Sequence, residues 1–335
     1  MAAKADYLNM SGVSKMIDQY GRNIHYLRIS ITDRCNLRCR YCMPQGVKFV
    51  NHEKIISYEN IVKFVEMMTH LGIDTIKITG GEPLVRKDCA SLIKQLKAIE
   101  HIKKVTLTTN GVLLEKYLPD LVDAKVDAIN VSLDTLDLEK YQKITGFSCL
   151  NSVLKGIDQA LEASIPVKIN CVAFQGNDDW KALVKLAKDK KIDVRFIELM
   201  PIGLGKKYKT MNNEDLLAEI TEAYPAIQKD NQVHGNGPAR YYHIPSWQGS
   251  IGFISAIHHN FCHQCNRIRL TSQGYLKCCL CYDQGISIYD ILNEQISDQE
   301  KIEKFREIIF NKPKEHCFLN EENMTEEHMM SSIGG

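Results

Sequence analysis

The chain has no surplus of charge of either sign. Its 42 Lys and Arg stand against 41 Asp and Glu, a formal net charge of +1. No broad basic field for nucleic acid follows, although local patches are compatible with that balance. No uninterrupted apolar stretch is long enough to cross a bilayer. The opening residues, MAAKADYLNMSGVSK, lack the apolar segment of a secretory signal. Internal repeats and low-complexity stretches are absent as well. These absences lead us to expect a soluble, cytoplasmic protein with neither membrane nor nucleic acid as partner. What is there is ordinary for a globular chain: 335 residues, 44% hydrophobic and 25% charged, enough for one large cored domain or two smaller ones.

Cysteine is the exception. Twelve is high for an intracellular chain, and in a reducing compartment clustered cysteines more often bind metal or do chemistry than form disulfides. Two groups stand out: Cys35, Cys39 and Cys42, then Cys262, Cys265, Cys278, Cys279 and Cys281. The scattered Cys89, Cys149, Cys171 and Cys317 read as small buried hydrophobes.

Strand-like segments at residues 24–31, 73–79, 105–109, 128–133, 167–174 and 194–199 alternate with helical ones. Ser57 is suited to an N-cap, because Ile61, Phe64, Val65, Met68 and Leu71 follow it at helical spacing. Such alternation predicts βαβ units and an α/β fold with a parallel sheet, a partial or complete barrel. Ligands of these folds bind at the C-terminal ends of the strands. The unusual residues fall there: the first cysteine loop, Gly80-Gly81-Glu82-Pro83, Thr108-Thr109-Asn110-Gly111, Ser132 and Glu198-Leu199-Met200. Beyond about residue 205 the pattern changes, with a predicted hairpin of residues 239–244 and 249–254 around Pro245-Ser246-Trp247. From Pro313 the chain is polar and predicted to be extended, and flexible unless something docks it.

Cys35-x3-Cys39-x2-Cys42 puts three thiols on one short loop. A cubane cluster has four irons, so three cysteines leave one iron free for a small molecule. A structural zinc would want a fourth ligand. Cys262-x2-Cys265-x13-Cys279 is again a set of three. Zinc stays open there too, with His263 as a fourth ligand, and Cys278 and Cys281 compete with Cys279 for the third position.

The first set, with Tyr41 before its third cysteine, is similar to the C-x3-C-x-(aromatic)-C signature of the radical S-adenosylmethionine (SAM) superfamily, and Gly80-Gly81-Glu82-Pro83 matches that superfamily's next motif. The resemblance implies a partial (β/α)6-type barrel and a [4Fe-4S] cluster whose free iron binds SAM. A 5′-deoxyadenosyl radical would then take hydrogen from a substrate. The run FCHQCNRIRLTSQGYLKCCL resembles the C-terminal motif of the GTP 3′,8-cyclase family of molybdenum-cofactor biosynthesis. YLRISITDRCNLRCRYCMP, TGGEPLVR, TTNG, VSLDTL, IELMPIG, IGFIS and the closing Gly334-Gly335 match in order. Aligning Gly274 and Leu276 with that motif puts the third cysteine of the second set at Cys279.

From this second resemblance follow a second [4Fe-4S] cluster on Cys262, Cys265 and Cys279, a lyase reaction on GTP beginning at the ribose C3′, and a low-potential electron donor. A cyclic pyranopterin monophosphate synthase would act downstream, and a homodimer is a family expectation. The resemblance assigns Tyr41, Gly81, Glu82, Ser132 and Met200 to SAM. It assigns Arg28, Lys77, Thr108, Lys168, Arg267, Ile268, Arg269, Gly334 and Gly335 to GTP, and counts Arg267 and Arg269 with the first three cysteines as catalytic. The implied division is an N-terminal extension (1–20), the radical SAM barrel (21–205), an auxiliary-cluster region (206–312) and a tail (313–335). Three positions depart from the family pattern: Thr75 stands for a usual Lys, Lys77 for a usual Arg, and Phe147 for a frequent Arg.

Overall fold

The computed structural model describes residues 15–43, 45–177 and 179–334, so residues 1–14 of the expected extension and Gly335 of the expected GTP contacts lie outside the described residues. Strand β1 (Tyr26–Ser30) leads through the first cysteine loop to helix α1 (Tyr58–Thr69). There follow β2 (Thr75–Thr79), α2 (Cys89–Ala98), β3 (Lys104–Thr109), α3 (Leu114–Asp123), β4 (Ala128–Ser132), α4 (Leu138–Thr145), α5 (Leu150–Glu162), β5 (Val167–Ala173), α6 (Trp180–Asp189) and β6 (Ile192–Glu198). Ser57 does cap α1, its side chain accepting from the Asn60 N–H at 3.2 Å. β1 to β6 pair in sequence order and all in parallel, the expected βαβ barrel wall.

The later strands join the same sheet. After α7 (Asn213–Ala223), β7 (Gln228–Asp230), β8 (Arg240–His243) and β9 (Ile251–Ile254) extend the β6 edge. β8 and β9 are the predicted hairpin, but β9 also runs parallel to β6 and lengthens the barrel wall. β10 (Arg267–Leu270) pairs in parallel with β1 at the opposite edge, and β11 (Tyr275–Lys277) and β12 (Gly285–Ser287) add to it antiparallel. The order is β12-β11-β10-β1-β2-β3-β4-β5-β6-β9-β8-β7. Residues 255–266, which carry Cys262 and Cys265, therefore pass from one flank of the β1–β6 wall to the other. Helices α8 (Ile288–Leu292), α9 (Asp298–Phe310) and the one-turn α10 (Met330–Ile333) complete the chain. Among the described residues, no helix is long and apolar enough to cross a membrane.

Alternation along the strands sets where chemistry can occur. Leu27, Ile29, Ile76, Ile78, Val105 and Leu107 are fully buried in the main core. Residues two apart share a face and neighbours take opposite ones, so the other face carries Tyr26, Arg28, Thr75, Lys77, Thr106 and Thr108, all of which line a cavity of ≈ 1310 Å³. The barrel is apolar outside and polar within, the arrangement a charged ligand needs. A smaller apolar cluster of Ile202, Ile257, Leu280, Cys281, Phe318 and Ile333 lies apart. Phe318 and Ile333 belong to the tail, which is thus docked, each such side chain contributing ~2 kcal/mol when fully buried.

Candidate active site

The first triplet sits on the loop after β1. That loop is held by the end of α4, through Arg38 N–H to Thr145 O (2.8 Å) and Arg40 N–H to Ile144 O (2.9 Å). Cys35 Sγ accepts from Leu37 N–H at 3.4 Å and from Asn110 Nδ2 at 3.6 Å. Burial pushes the Cys35 thiol up to about 11, and burial together with the charges of Cys35 and Asp134 pushes the Cys42 thiol up to about 12. None of the three is bonded to another cysteine. A donor set of three half-buried thiols on one loop fits an iron–sulfur cluster, whose irons take thiolate without protons.

Gly81 has a structural reason that the sequence did not disclose. A Cβ there would meet Arg34 O at 2.4 Å and Asp33 O at 2.7 Å, so only glycine lets β2's end lie against the cysteine loop. Glu82 next to it is fully engaged by the chain itself. It accepts from Leu84 N–H (3.0 Å), Thr109 Oγ1 (2.8 Å) and Asn110 N–H (2.6 Å), while burial raises its carboxyl to about 7. The Tyr41 ring packs 5.6 Å from that of Phe174, and its hydroxyl donates to Asp134 Oδ2 at 2.7 Å. Burial lifts Asp134 to about 6. Ser132 and Met200 line the cavity at the ends of β4 and β6.

Cys262, Cys265 and Cys279 line the same cavity as the first triplet. Cys262 opens a short turn closed by Cys265 N–H to Cys262 O at 3.1 Å. Cys279 follows the β10–β11 hairpin. Burial alone would raise the Cys265 thiol, but the Lys312 ammonium and then the Arg267 guanidinium bring it down to about 6. Of the competing cysteines, Cys278 directs its thiol to Ile308 O (3.6 Å), and Cys281 Sγ lies 2.7 Å from Cys317 Sγ. His263 is exposed.

Cations form the next layer. Arg28 is the register partner of Arg269 on one side and of Lys77 on the other. Burial, and then the charges of their neighbours, lower the pKa of Lys77 and of Arg269 well below the ordinary range. Lys168 is differently placed: its ammonium is 2.7 Å from Asp193 and also donates to His234 O. Thr108 accepts from Asn130 Nδ2 at 3.5 Å. The Ile268 side chain does not reach the cavity. It alternates with Arg267 and Arg269 and is fully buried in the apolar core. Thr75 is held by Asn236 Nδ2 at 2.8 Å, and Phe147 is exposed.

Sequence reasoning missed Arg195. It lines the cavity, is 8% exposed, and its Nε is buried without a hydrogen-bond partner. The signal was available, since Val194 and Phe196 are outward residues of β6 and Arg195 alternates with them.

The tail closes the constellation. Arg269 Nη1 donates to Gly334 O at 2.5 Å, and Ser331 lines the cavity with Cys42. Gly334 has φ +80°, and a Cβ there would sit 3.1 Å from Ser30 Cβ and 3.2 Å from Thr79 Cγ2.

Residues 29–189 match the Radical SAM superfamily and residues 192–318 match Molybdenum Cofactor Synthesis C. A GTP 3′,8-cyclase of Clostridium perfringens (strain 13 / Type A) is 41% identical over 323 residues, covering 96% of this chain and all (100%) of that protein. One of Petrotoga mobilis is 43% identical over 330 residues, with coverage of 96% and 100%. The fold is similar to that of Streptococcus suis SuiB bound to S-adenosylmethionine, with a TM-score of 0.61 and 16% identity over 91% of this chain and 76% of that one. Full-length similarity to these cyclases, together with the two matched segments, means that the chain belongs to the GTP 3′,8-cyclase family of radical SAM enzymes.

Proposed function

We propose that the chain is a lyase that converts GTP to 3′,8-cyclo-7,8-dihydro-GTP, the first step of molybdenum-cofactor biosynthesis. It would use SAM and two [4Fe-4S] clusters, one on Cys35, Cys39 and Cys42, the other on Cys262, Cys265 and Cys279. The carrying observation is that both triplets line one cavity together with Arg28, Lys77, Arg195 and Arg269.

Cys35, Cys39 and Cys42 would hold the first cluster, which with SAM would supply the one-electron chemistry needed to remove the C3′ hydrogen of the ribose. The chain's own part is placement. Tyr41, Gly81, Ser132 and Met200 would hold SAM, and Glu82 braces the strand ends through Leu84, Thr109 and Asn110. Arg28, Lys77 and Arg195 offer a triphosphate the charge it demands, the arginines as planar forks. Lys168 joins them by exchanging Asp193 for phosphate. Cys262, Cys265 and Cys279 would hold the second cluster as a set of three thiolates, a site that would anchor the guanine and so keep C8 within reach of C3′. Arg267 and Arg269 line the wall beside it. Bonding C3′ to C8 leaves one unpaired electron on the base, which one electron from a low-potential donor and one proton remove. The product suits a cyclic pyranopterin monophosphate synthase, and a homodimer in the cytoplasm is the matching assembly.

Two features support Cys279 as the third ligand: the thiols of Cys278 and Cys281 are engaged elsewhere. Anaerobically purified protein should be brown with about eight irons per chain, as two cubanes require. Cys279→Ser should lose half of that iron, and Cys278→Ser and Cys281→Ser none. Colourless protein containing zinc would overturn the reading. With GTP, SAM and reductant, GTP should disappear as 5′-deoxyadenosine forms. Formation of 5′-deoxyadenosine without GTP loss would refute the cyclase assignment, and absence of both from cluster-loaded protein would refute the radical class.

A further inference from the structure

We infer that Lys312 is the built-in counter-charge of a cluster held by Cys262, Cys265 and Cys279, and so sets how readily that cluster accepts an electron. The inference rests on the two-cluster reading above and concerns a residue to which that reading gives no role.

Lys312 is 3% exposed. Its ammonium donates to the backbone carbonyls of Arg267, at 3.0 Å, and Cys278. Both carbonyls belong to the cysteine scaffold, since Arg267 lies two residues past Cys265 and Cys278 directly precedes Cys279. Lys312 also lines the cavity alongside all three cysteines. Among the described residues it has no ion pair with a carboxylate. Two other buried lysines do have one: Lys277 pairs with Glu326 and Lys301 with Asp298. A buried ammonium bonded only to carbonyl dipoles has no carboxylate to balance its charge, and buried charges in folded proteins are paired. A cubane on three thiolates is anionic, and more so once reduced, so it is the partner that Lys312 lacks.

The position of Lys312 is fixed from behind. Arg22 donates to the carbonyls of Lys312 (3.3 Å), Pro313 (2.7 Å) and Lys314 (2.8 Å), and with the same guanidinium to Cys262 O (2.9 Å). Arg22 is itself neutralised by Asp18 at 2.6 Å. One guanidinium thus locks the root of the tail to the first cysteine of the second triplet, and the positive charge left over at this junction belongs to Lys312. Arg267 also approaches Cys265 Sγ, at 3.9 Å, but it stands on the substrate wall, whereas Lys312 bonds only backbone. A fixed cation beside a cluster stabilises its more negative, reduced state and raises its potential.

The test uses the full chain in a Cys35→Ala, Cys39→Ala, Cys42→Ala background, which leaves only the second cluster. Iron content is measured first, then the midpoint potential by electron paramagnetic resonance during a redox titration, for the parent, Lys312→Met and Lys312→Arg. The expected result is a downward shift of the potential in Lys312→Met and near-parental behaviour in Lys312→Arg. Failure of Lys312→Met to hold the cluster, with retention by Lys312→Arg, supports the inference equally. A second arm removes Cys262, Cys265 and Cys279 instead. There Lys312 is a buried charge without its partner, so Lys312→Met should raise Tm in that protein and lower it in the cluster-loaded one. The inference is overturned if Lys312→Met titrates with the parent at equal iron content, if Met and Arg behave alike, or if the Tm effect has one sign in both proteins. A parent background that binds no iron would instead defeat the two-cluster reading and the inference with it.

Discussion

Arg269 donates to the carbonyl of Gly334 at 2.5 Å, which joins the barrel wall to the end of the described chain. Gly334 lies against Ser30 and Thr79 at the tops of β1 and β2 with φ +80°. Gly334→Ala adds a methyl group in a crowded place and a backbone conformation that alanine disfavours. The expected outcome is a fall of ~10-fold or more in GTP consumption, about 1.4 kcal/mol of activation free energy, with Tm little changed. An unaltered rate under saturating substrates would remove the tail from the active site.

The tail is seated further back by Lys277 and Glu326, 2% and 1% exposed, which form an ion pair. Asp283 and His328 gather round the same group. Breaking a buried pair from one side strands a charge, so Glu326→Ala should cost ~3–5 kcal/mol in denaturant unfolding. Replacing both partners, Lys277→Met with Glu326→Leu, should recover most of it. A double variant as unstable as the single one would mean that packing rather than charge is lost.

Arg195 tests the phosphate reading. A charge-assisted contact is worth ~1.5–3 kcal/mol, so Arg195→Gln should raise KM for GTP ~10–100-fold and leave KM for SAM unchanged. Parallel changes in both constants would indicate a disturbed barrel instead.

Glu82 gives a pH dependence of definite sign. Burial raises its carboxyl from 4.5 to about 7, against donors that lower it. Its folded pKa lies above the unfolded one, so folding favours the protonated form. The stability it contributes is whole below 4.5 and is lost as pH rises through about 7. Glu82→Gln cannot titrate and should flatten that part of the stability–pH curve, read by denaturant unfolding on either side of neutrality. A curve parallel to the parent's would assign the slope to another group.

The barrel wall was legible because each βα unit carries its own local pattern. Ile61, Phe64, Val65 and Met68 write one helix face after Ser57, and Leu27 and Ile29 write one strand face. Cysteine spacing and the Gly80-Gly81-Glu82-Pro83 run were legible for the same reason. The destinations of β9 and β10 were not, since an edge pairing such as Arg28 with Arg269 depends on partners far apart in the chain. Arg195 was hidden among ordinary charges until β6 received its inward face. Lys168 was assigned to GTP by resemblance, and only the fold brings Asp193 and His234 to it. Ile268 shows the converse: a motif assigned it to GTP, whereas alternation sends its side chain into the core.

Synthesis proceeds from the N-terminus, and β9 and β10 seal opposite edges of a sheet whose middle is made first. A nascent chain therefore carries the first cysteine loop on β1 to β6 while both flanks still offer unpaired backbone, a template for mispairing. Pairing β10 back onto β1 closes a span of some two hundred and forty residues (Tyr26 with Arg267), a late and slow event. The segment that crosses between the flanks carries Cys262 and Cys265, so the second thiol set is gathered only when the seam shuts. Birth order thus separates the two sets in time: the first waits on an open, aggregation-prone sheet, and the second becomes complete with the finished fold.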